Sequence, residues 1–207
     1  MWLEMLVVAL LALELTDSPF LVSVTFFLRF LPMIFGFGIG VIAEQLNRKY
    51  LMIGGLVVQA TTSAALVALI ISDKLEYWHL ALGSFFIGAV MASEFPVRRT
   101  MIGEVVSRMN VGRAVSLEQT TNSLFRIIGP FVGGVFLATI GAQGGFLLGV
   151  VLYSIGVIIA ISMKYNRPTS TEALAGPKIQ ITEGIQYIRK SQVMIGTLGV
   201  TLVLNVF

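Results

Sequence analysis

Three polar side chains lie four residues apart inside a long apolar segment: Glu118, Asn122 and Arg126. On a helix this spacing places them along one face, as a slowly drifting polar track. Arg29 and Glu4 lie inside two other apolar segments. Ionisable groups within a membrane span are costly and mark substrate or ion pathways by default. These five residues are therefore candidates for lining a substrate or proton pathway.

A structural interpretation of the two arginines stays open at this stage. Arg29 lies about ten residues into its apolar segment and Arg126 about twelve, too deep for either side chain to reach the interface easily. Each then needs an acidic partner, a water-filled cavity or a ring of carbonyls. Arg126 could line a cavity or form a buried salt bridge, and Arg29 could instead fix the packing of its helix.

The composition shows what kind of element must position these side chains. Of 207 residues, 56% are hydrophobic and 12% are charged, and the mean hydropathy is +0.89. Soluble domains carry roughly 25% charged residues, so the composition argues against a soluble enzyme, a nucleic-acid binder and a disordered chain. The sequence has no cysteine and one histidine. Disulfides, thiol catalysis, Cys-ligated zinc and multi-His metal sites are therefore excluded as well.

The apolar segments have the length of membrane-spanning helices, about 20 residues. Predicted helices cover 1–15, 19–43, 50–72, 77–95, 114–138, 145–163 and 191–207. The sequence thus predicts an all-α membrane protein with an N-terminal six-helix bundle (1–163), a polar linker (164–190) and a truncated seventh helix (191–207). Because the first run is short and the last stops at Phe207, we expect a fragment of a longer protein.

The distribution of basic residues predicts the orientation in the membrane. The segments 43–49, 96–113 and 164–190 together hold eleven Lys and Arg, whereas 16–18, 73–76 and 139–144 hold only Lys74. Loops rich in Lys and Arg stay in the cytoplasm. We therefore expect a cytoplasmic N-terminus and a cytoplasmic linker in a multi-pass protein of the plasma (bacterial inner) membrane.

Small residues and a proline interrupt the segment that carries the polar track. They are Gly129, Pro130, Gly133 and Gly134. Proline removes a backbone donor and kinks a helix, and glycines four apart allow two membrane helices to approach closely. This pattern predicts a bent, closely packed helix.

Six short motifs follow one another along the chain. They read Trp2-Leu-Glu-Met with Glu14-Leu-Thr-x-Ser-Pro19, Arg29-Phe-Leu-Pro32, Gly40-x-x-Ala-Glu44-Gln-x-Asn-Arg48-Lys49, Glu94-x-Pro-x-Arg98, Arg126-x-Ile-Gly-Pro-x-x-Gly-Gly134 and Glu183-Gly-Ile-Gln-Tyr-Ile-Arg189. In this order and topology the chain resembles the N-terminal half of a major facilitator superfamily transporter, of the enterobactin-exporter and macrolide-efflux type.

The resemblance implies a gating loop, a helix-5 exporter signature and transport without a cofactor. The gating-loop residues would be Gly40, Glu44, Arg48, Lys49, Glu94 and Arg98. The signature would be Gly129, Pro130, Gly133 and Gly134. Glu44 and Gln45 replace an Asp and an Arg of the loop motif, and Glu118 stands where relatives often carry Asn.

The expected function follows from the resemblance to this family. The resemblance implies a twelve-helix antiporter in which the missing C-terminal half closes the site. It also implies proton-driven efflux of a small amphipathic molecule such as a siderophore or drug. A seven-helix receptor or sensor without transport activity remains the alternative. A membrane-embedded enzyme would need a catalytic dyad or a metal cluster, and the sequence has neither.

Overall fold

The computed structural model describes residues 2–34, 47–107, 109–163 and 165, and these residues form a bundle of six helices without strands. The helices are Trp2–Thr16 (α1), Pro19–Ile34 (α2), Arg48–Ile71 (α3), Tyr77–Val105 (α4), Val111–Ile140 (α5) and Ala142–Ser162 (α6). The predicted all-α class is confirmed. Helices α3 to α6 are each long and apolar enough to cross a membrane, and α2 is a shorter apolar helix.

Helix α4 is longer than predicted. The prediction ended this helix at residue 95, before a cluster of charges, but α4 continues to Val105. The extension is stable because Val97 and Met101 face inward, where they form a small apolar cluster with residues of α3. The predicted loop 96–113 is correspondingly short, since α5 already begins at Val111.

The ends of α3 and α6 also differ from the prediction. Helix α3 begins at Arg48 because the Asn47 side chain caps it, accepting a 3.1 Å hydrogen bond from the Lys49 backbone N–H. Between α5 and α6 only Gly141 leaves the helical conformation, with a φ of 81° that favours glycine. The turn predicted over 139–144 is therefore a single residue.

Two close helix contacts use glycine. A Cβ at Gly88 of α4 would lie 1.8 Å from the backbone oxygen of Arg29 in α2. A Cβ at Gly133 of α5 would lie 2.9 Å from Leu3 Cγ in α1. Small residues at such positions let membrane helices approach until their backbones touch. These contacts determine how the charged residues on α1 and α2 sit in the bundle.

Helix α1 lies in the apolar centre of the bundle. Val7, Val8 and Leu11 are buried there together with Leu80 of α4 and Phe146 of α6. Helix α5 differs, since Gly133 is its only buried residue. Residues 35–46, 164 and 166–207 lie outside the described part of the chain, and so do the end of the predicted helix 19–43, the linker and the seventh helix.

Candidate functional site

A cavity of about 640 Å³ opens between the helices, and all six of them contribute to its wall. Most of the lining is apolar, with aromatic rings from Phe30, Phe95 and Phe125. A polar wall comes from α5, which contributes Gln119, Asn122, Ser123 and Arg126. Further polar residues come from α3, α4 and α6, namely Gln59, Glu94, Arg98 and Tyr153. The cavity thus combines apolar surface with a few polar groups, the arrangement that protein sites for small organic molecules use.

Arg126 lies at the middle of α5 and its side chain is exposed. Its neighbour one turn earlier, Asn122, lines the same cavity. The helix runs on without interruption through Pro130 to Ile140. Two members of the predicted polar track therefore face the cavity together.

The third member of that track, Glu118, contacts a different helix. One of its carboxylate oxygens lies 3.4 Å from Arg98 Nε, and Glu94 Oε1 lies 3.4 Å from Arg98 Nη1. The Arg98 guanidinium also lies 5.7 Å from the centre of the Phe95 ring. One guanidinium on α4 is thus shared between two carboxylates, one from its own helix and one from α5.

A second cluster surrounds Glu4, whose side chain is fully buried. Its two carboxylate oxygens accept hydrogen bonds from Ser63 Oγ (2.8 Å) and from the Tyr153 hydroxyl (2.6 Å). Gly149 leaves room for this carboxylate, because a Cβ there would lie 2.7 Å from Glu4 Oε1. Ser63 and Tyr153 lie near the middle of α3 and α6, so Glu4 is deep in the bundle although it lies near the start of the sequence.

Arg29 lies in the same region and is 1% exposed. Its guanidinium and the Glu4 carboxylate attract each other electrostatically. A buried arginine is tolerated when an acidic group compensates its charge. The two sequence candidates Arg29 and Glu4, which come from different helices, therefore belong to one electrostatic cluster.

A third group of charges lies at the ends of α3, α4 and α6. Arg48 forms a salt bridge with Glu104, whose other carboxylate oxygen accepts a hydrogen bond from the Tyr165 hydroxyl. Partial burial and this hydrogen bond raise the pKa of Tyr165 above its ordinary value, so the hydroxyl keeps its proton at neutral pH. Lys49 Nζ donates hydrogen bonds to the backbone oxygens of Ile161 (2.8 Å) and Met163 (2.6 Å).

Comparison with known proteins identifies the family. The family profile of the Major Facilitator Superfamily matches residues 2–207. The chain belongs to the Major Facilitator Superfamily. It is a multi-pass membrane protein of a family of transporters.

Two curated relatives from this superfamily show the extent of the similarity. An uncharacterised transporter of the superfamily from Bacillus subtilis, YfiS, is 25% identical over 99% of this chain and 50% of its own length. The staphyloferrin A transporter of Staphylococcus aureus is 28% identical over 38% of this chain and 20% of its own length. The chain thus spans about half the length of the first relative, and the alignment to the second covers a fifth.

The residues predicted to form the gating loop lie in two separate parts of the structure. Arg48 and Lys49 are in the first turn of α3 and bind the ends of α4 and α6. Glu94 and Arg98, expected in the same loop, lie inside α4 and line the cavity. Both residues lie within α4 because this helix continues to Val105, and their part in gating stays a prediction. Gly40 and Glu44 lie outside the described residues.

The four residues of the helix-5 signature also lie in different environments. Gly133 packs against Leu3, whereas a Cβ at Gly134 would meet nothing within 4 Å. Gly129 lines the cavity, and Pro130 is half-buried within the helix. Gly133 therefore forms a close helix contact of the kind that its spacing suggested.

Sequence reasoning missed three polar residues, Gln59, Ser63 and Tyr153. Gln59 and Ser63 are four residues apart on α3, and both are buried. Two polar residues at helical spacing in an apolar run are a signal that could have been used. Tyr153 gives no such signal, because a tyrosine in an apolar helix is unexceptional until its hydroxyl is seen to reach Glu4.

Proposed function

We propose that the protein is a secondary active transporter whose substrate binds in the cavity between the helices. The observation that carries this proposal is the cavity itself, with Arg126 and Asn122 on an otherwise largely apolar wall. In transporters with inverted repeats, substrate sites lie near the middle of the membrane, and alternating access comes from rocking of one bundle against the other. Arg126, at the middle of α5, fits such a site.

The substrate class proposed is a small amphipathic molecule, exported by antiport with protons. The mostly apolar lining, with polar groups from α3, α4, α5 and α6, supports an amphipathic substrate. The motif resemblance to enterobactin exporters and macrolide-efflux proteins supports export of a siderophore or drug. The name of the Staphylococcus aureus relative, a staphyloferrin A transporter, also fits a siderophore. A second six-helix bundle, in the other half of a twelve-helix protein, would cover the open side of the cavity.

Proton antiport can be measured directly in everted membrane vesicles. Vesicles containing the complete twelve-helix protein proposed above, wild type or variant, are energised to acidify their interior, and acridine orange reports the pH gradient. Addition of an amphipathic substrate to an antiporter lets protons leave, so the fluorescence recovers. No recovery with any compound of an amphipathic panel would reject proton-coupled export, and a direct binding signal without transport would favour a receptor.

The proposed orientation makes a separate prediction. Reporter fusions after Met163 should report a cytoplasmic position, and fusions at Asp73 should report an external one, because eleven Lys and Arg lie on one side and one on the other. Paired alkaline phosphatase and green fluorescent protein fusions at the two sites provide the measurement. An external signal after Met163 would contradict the proposed topology.

Glu118 is the group that we expect to bind the coupled proton. It shares Arg98 with Glu94, and 16% of its side chain is exposed. A proton bound by Glu118 would remove its negative charge and so weaken its salt bridge to Arg98, which joins α5 to α4. Arg126 lies eight residues further along the same helix.

The Glu118→Gln variant should therefore transport substrate with an altered pH dependence. A glutamine keeps the shape of the side chain but cannot bind or release a proton, so the dependence of the transport rate on pH should change. Transport rates at a series of pH values in the vesicle assay test this. Glu14→Gln, at an exposed carboxylate of α1 outside the cavity lining, is the control. A pH profile equal to the wild type in Glu118→Gln would assign Glu118 to packing.

A further inference from the structure

Gln59 of α3 is a buried polar residue whose side chain has an unmet hydrogen-bonding requirement. It is 2% exposed and forms part of the cavity wall. Its amide nitrogen has no hydrogen-bond acceptor among the residues that the structure describes. Buried donors without acceptors are destabilising, and each one in a folded protein calls for an explanation.

The neighbouring polar residue on the same helix face shows that this environment can satisfy a polar group. Ser63, one turn further along α3, donates a 2.8 Å hydrogen bond to Glu4. Gln59 has no corresponding partner for its nitrogen. Because Gln59 lines the cavity, a molecule bound there can supply the missing acceptor.

The carboxylates near the cavity are already engaged by donors of the protein. Glu94 and Glu118 both contact Arg98, and Glu4 accepts hydrogen bonds from Ser63 and Tyr153. Two residues that carry hydrogen-bond donors, Gln59 and Arg126, also lie on the cavity wall. Arg126 is exposed there, and a guanidinium has five N–H groups, so it can bind a ligand oxygen in addition to other contacts. The wall is thus better suited to a ligand with acceptor oxygens than to one with donors.

We propose that Gln59 is a substrate-binding residue and that the cavity accepts amphipathic organic anions. The carboxylate-type oxygen of such a molecule accepts a hydrogen bond from the Gln59 amide, Arg126 balances its charge, and its apolar body packs against the aromatic rings of the lining. This inference rests on the proposed transport function, because it takes the cavity as the substrate site. It adds the charge of the substrate and a contact residue on α3.

Equilibrium binding to the purified protein in detergent tests the charge preference. The probes are naphthylacetate and naphthylmethylammonium, which share an apolar ring and differ in charge. We expect the wild type to bind the anion more tightly. Gln59→Leu should weaken binding of naphthylacetate about ten- to a hundredfold, the effect of losing a hydrogen bond to a charged group. Gln143→Leu, at the start of α6 and outside the cavity lining, should leave binding unchanged.

A second variant and a second measurement separate binding from packing. Gln59→Glu replaces the donor with an acceptor at nearly equal size, and should shift the preference toward naphthylmethylammonium. The ligand-free melting temperature of Gln59→Leu should equal or exceed that of the wild type, because the substitution removes an unpaired buried amide. A packing role for Gln59 would lower it.

Two results would overturn the inference. One is binding of naphthylacetate by Gln59→Leu with the wild-type affinity. The other is equal or tighter binding of the cation by the wild-type protein. Neither requires a membrane or a proton gradient, so they are distinguishable from a failure of transport in vesicles, which would reject the proposed function and leave the binding site standing.

Discussion

Replacing Arg126 with alanine is expected to reduce transport by about 100-fold or more while the protein remains folded and inserted. Arg126 is exposed in the cavity at the middle of α5, so its removal leaves no void in the bundle. A hydrogen bond to a charged group contributes up to about 3 kcal/mol, which corresponds to roughly 100-fold in affinity. Loss of the cation also leaves a substrate anion without compensation.

The measurement is the initial rate of substrate-dependent proton release in everted vesicles, with protein amount determined by immunoblot. Arg113→Ala is the matched control, because Arg113 is exposed on the first turn of the same helix and lies outside the cavity lining. Its transport should remain near the wild-type rate. Equal activity in the two variants would show that Arg126 serves only the structure.

The Gly88→Ala variant is expected to lose most of its folded protein. The added Cβ would lie 1.8 Å from the Arg29 backbone oxygen and 2.7 Å from its carbonyl carbon. A backbone cannot rotate away as a side chain can, so α2 and α4 must separate. Overpacking of a tight contact costs about 1–3 kcal/mol and occasionally more, and a clash with backbone atoms belongs at the upper end of that range.

The matched control, Gly103→Ala, lies on the same helix. A Cβ there meets nothing within 4 Å, and alanine favours a helix over glycine by about 1 kcal/mol. Its melting temperature in detergent should therefore equal or exceed that of the wild type, whereas that of Gly88→Ala should fall by many degrees. A Gly88→Ala protein as stable as Gly103→Ala would mean that α2 and α4 do not approach so closely.

The sequence predicts the class of fold because insertion into a membrane depends on the hydrophobicity and length of each segment. Both properties can be read from the segment itself. The ends of the helices are less predictable. The charges at Glu94 and Arg98 suggested that α4 should stop, but they pair with each other and with Glu118 while Val97 and Met101 continue the apolar face. Whether a charge ends a helix thus depends on its partners from other elements.

The sequence predicted several residues of the candidate site, but it did not predict which of them contact one another. Asn122 and Arg126 share a wall because their spacing on one helix guarantees it. The contacts of Glu4 with Ser63 and Tyr153 depend on how far α1 lies along the axes of α3 and α6. That axial position follows from steric contacts such as Gly149 with Glu4 and Gly133 with Leu3. The spacing of polar residues within one helix carries no information about the axial position of that helix relative to its neighbours.

The Lys49 side chain binds the last carbonyls of α6 from the first turn of α3. An ammonium at the C-terminus of a helix also interacts favourably with the helix dipole. Sliding of α6 along α3 would break both hydrogen bonds and leave carbonyl oxygens unsatisfied. We therefore expect α3 and α6 to move together during a rearrangement of the bundle, and α5, which has one buried residue, to move more readily.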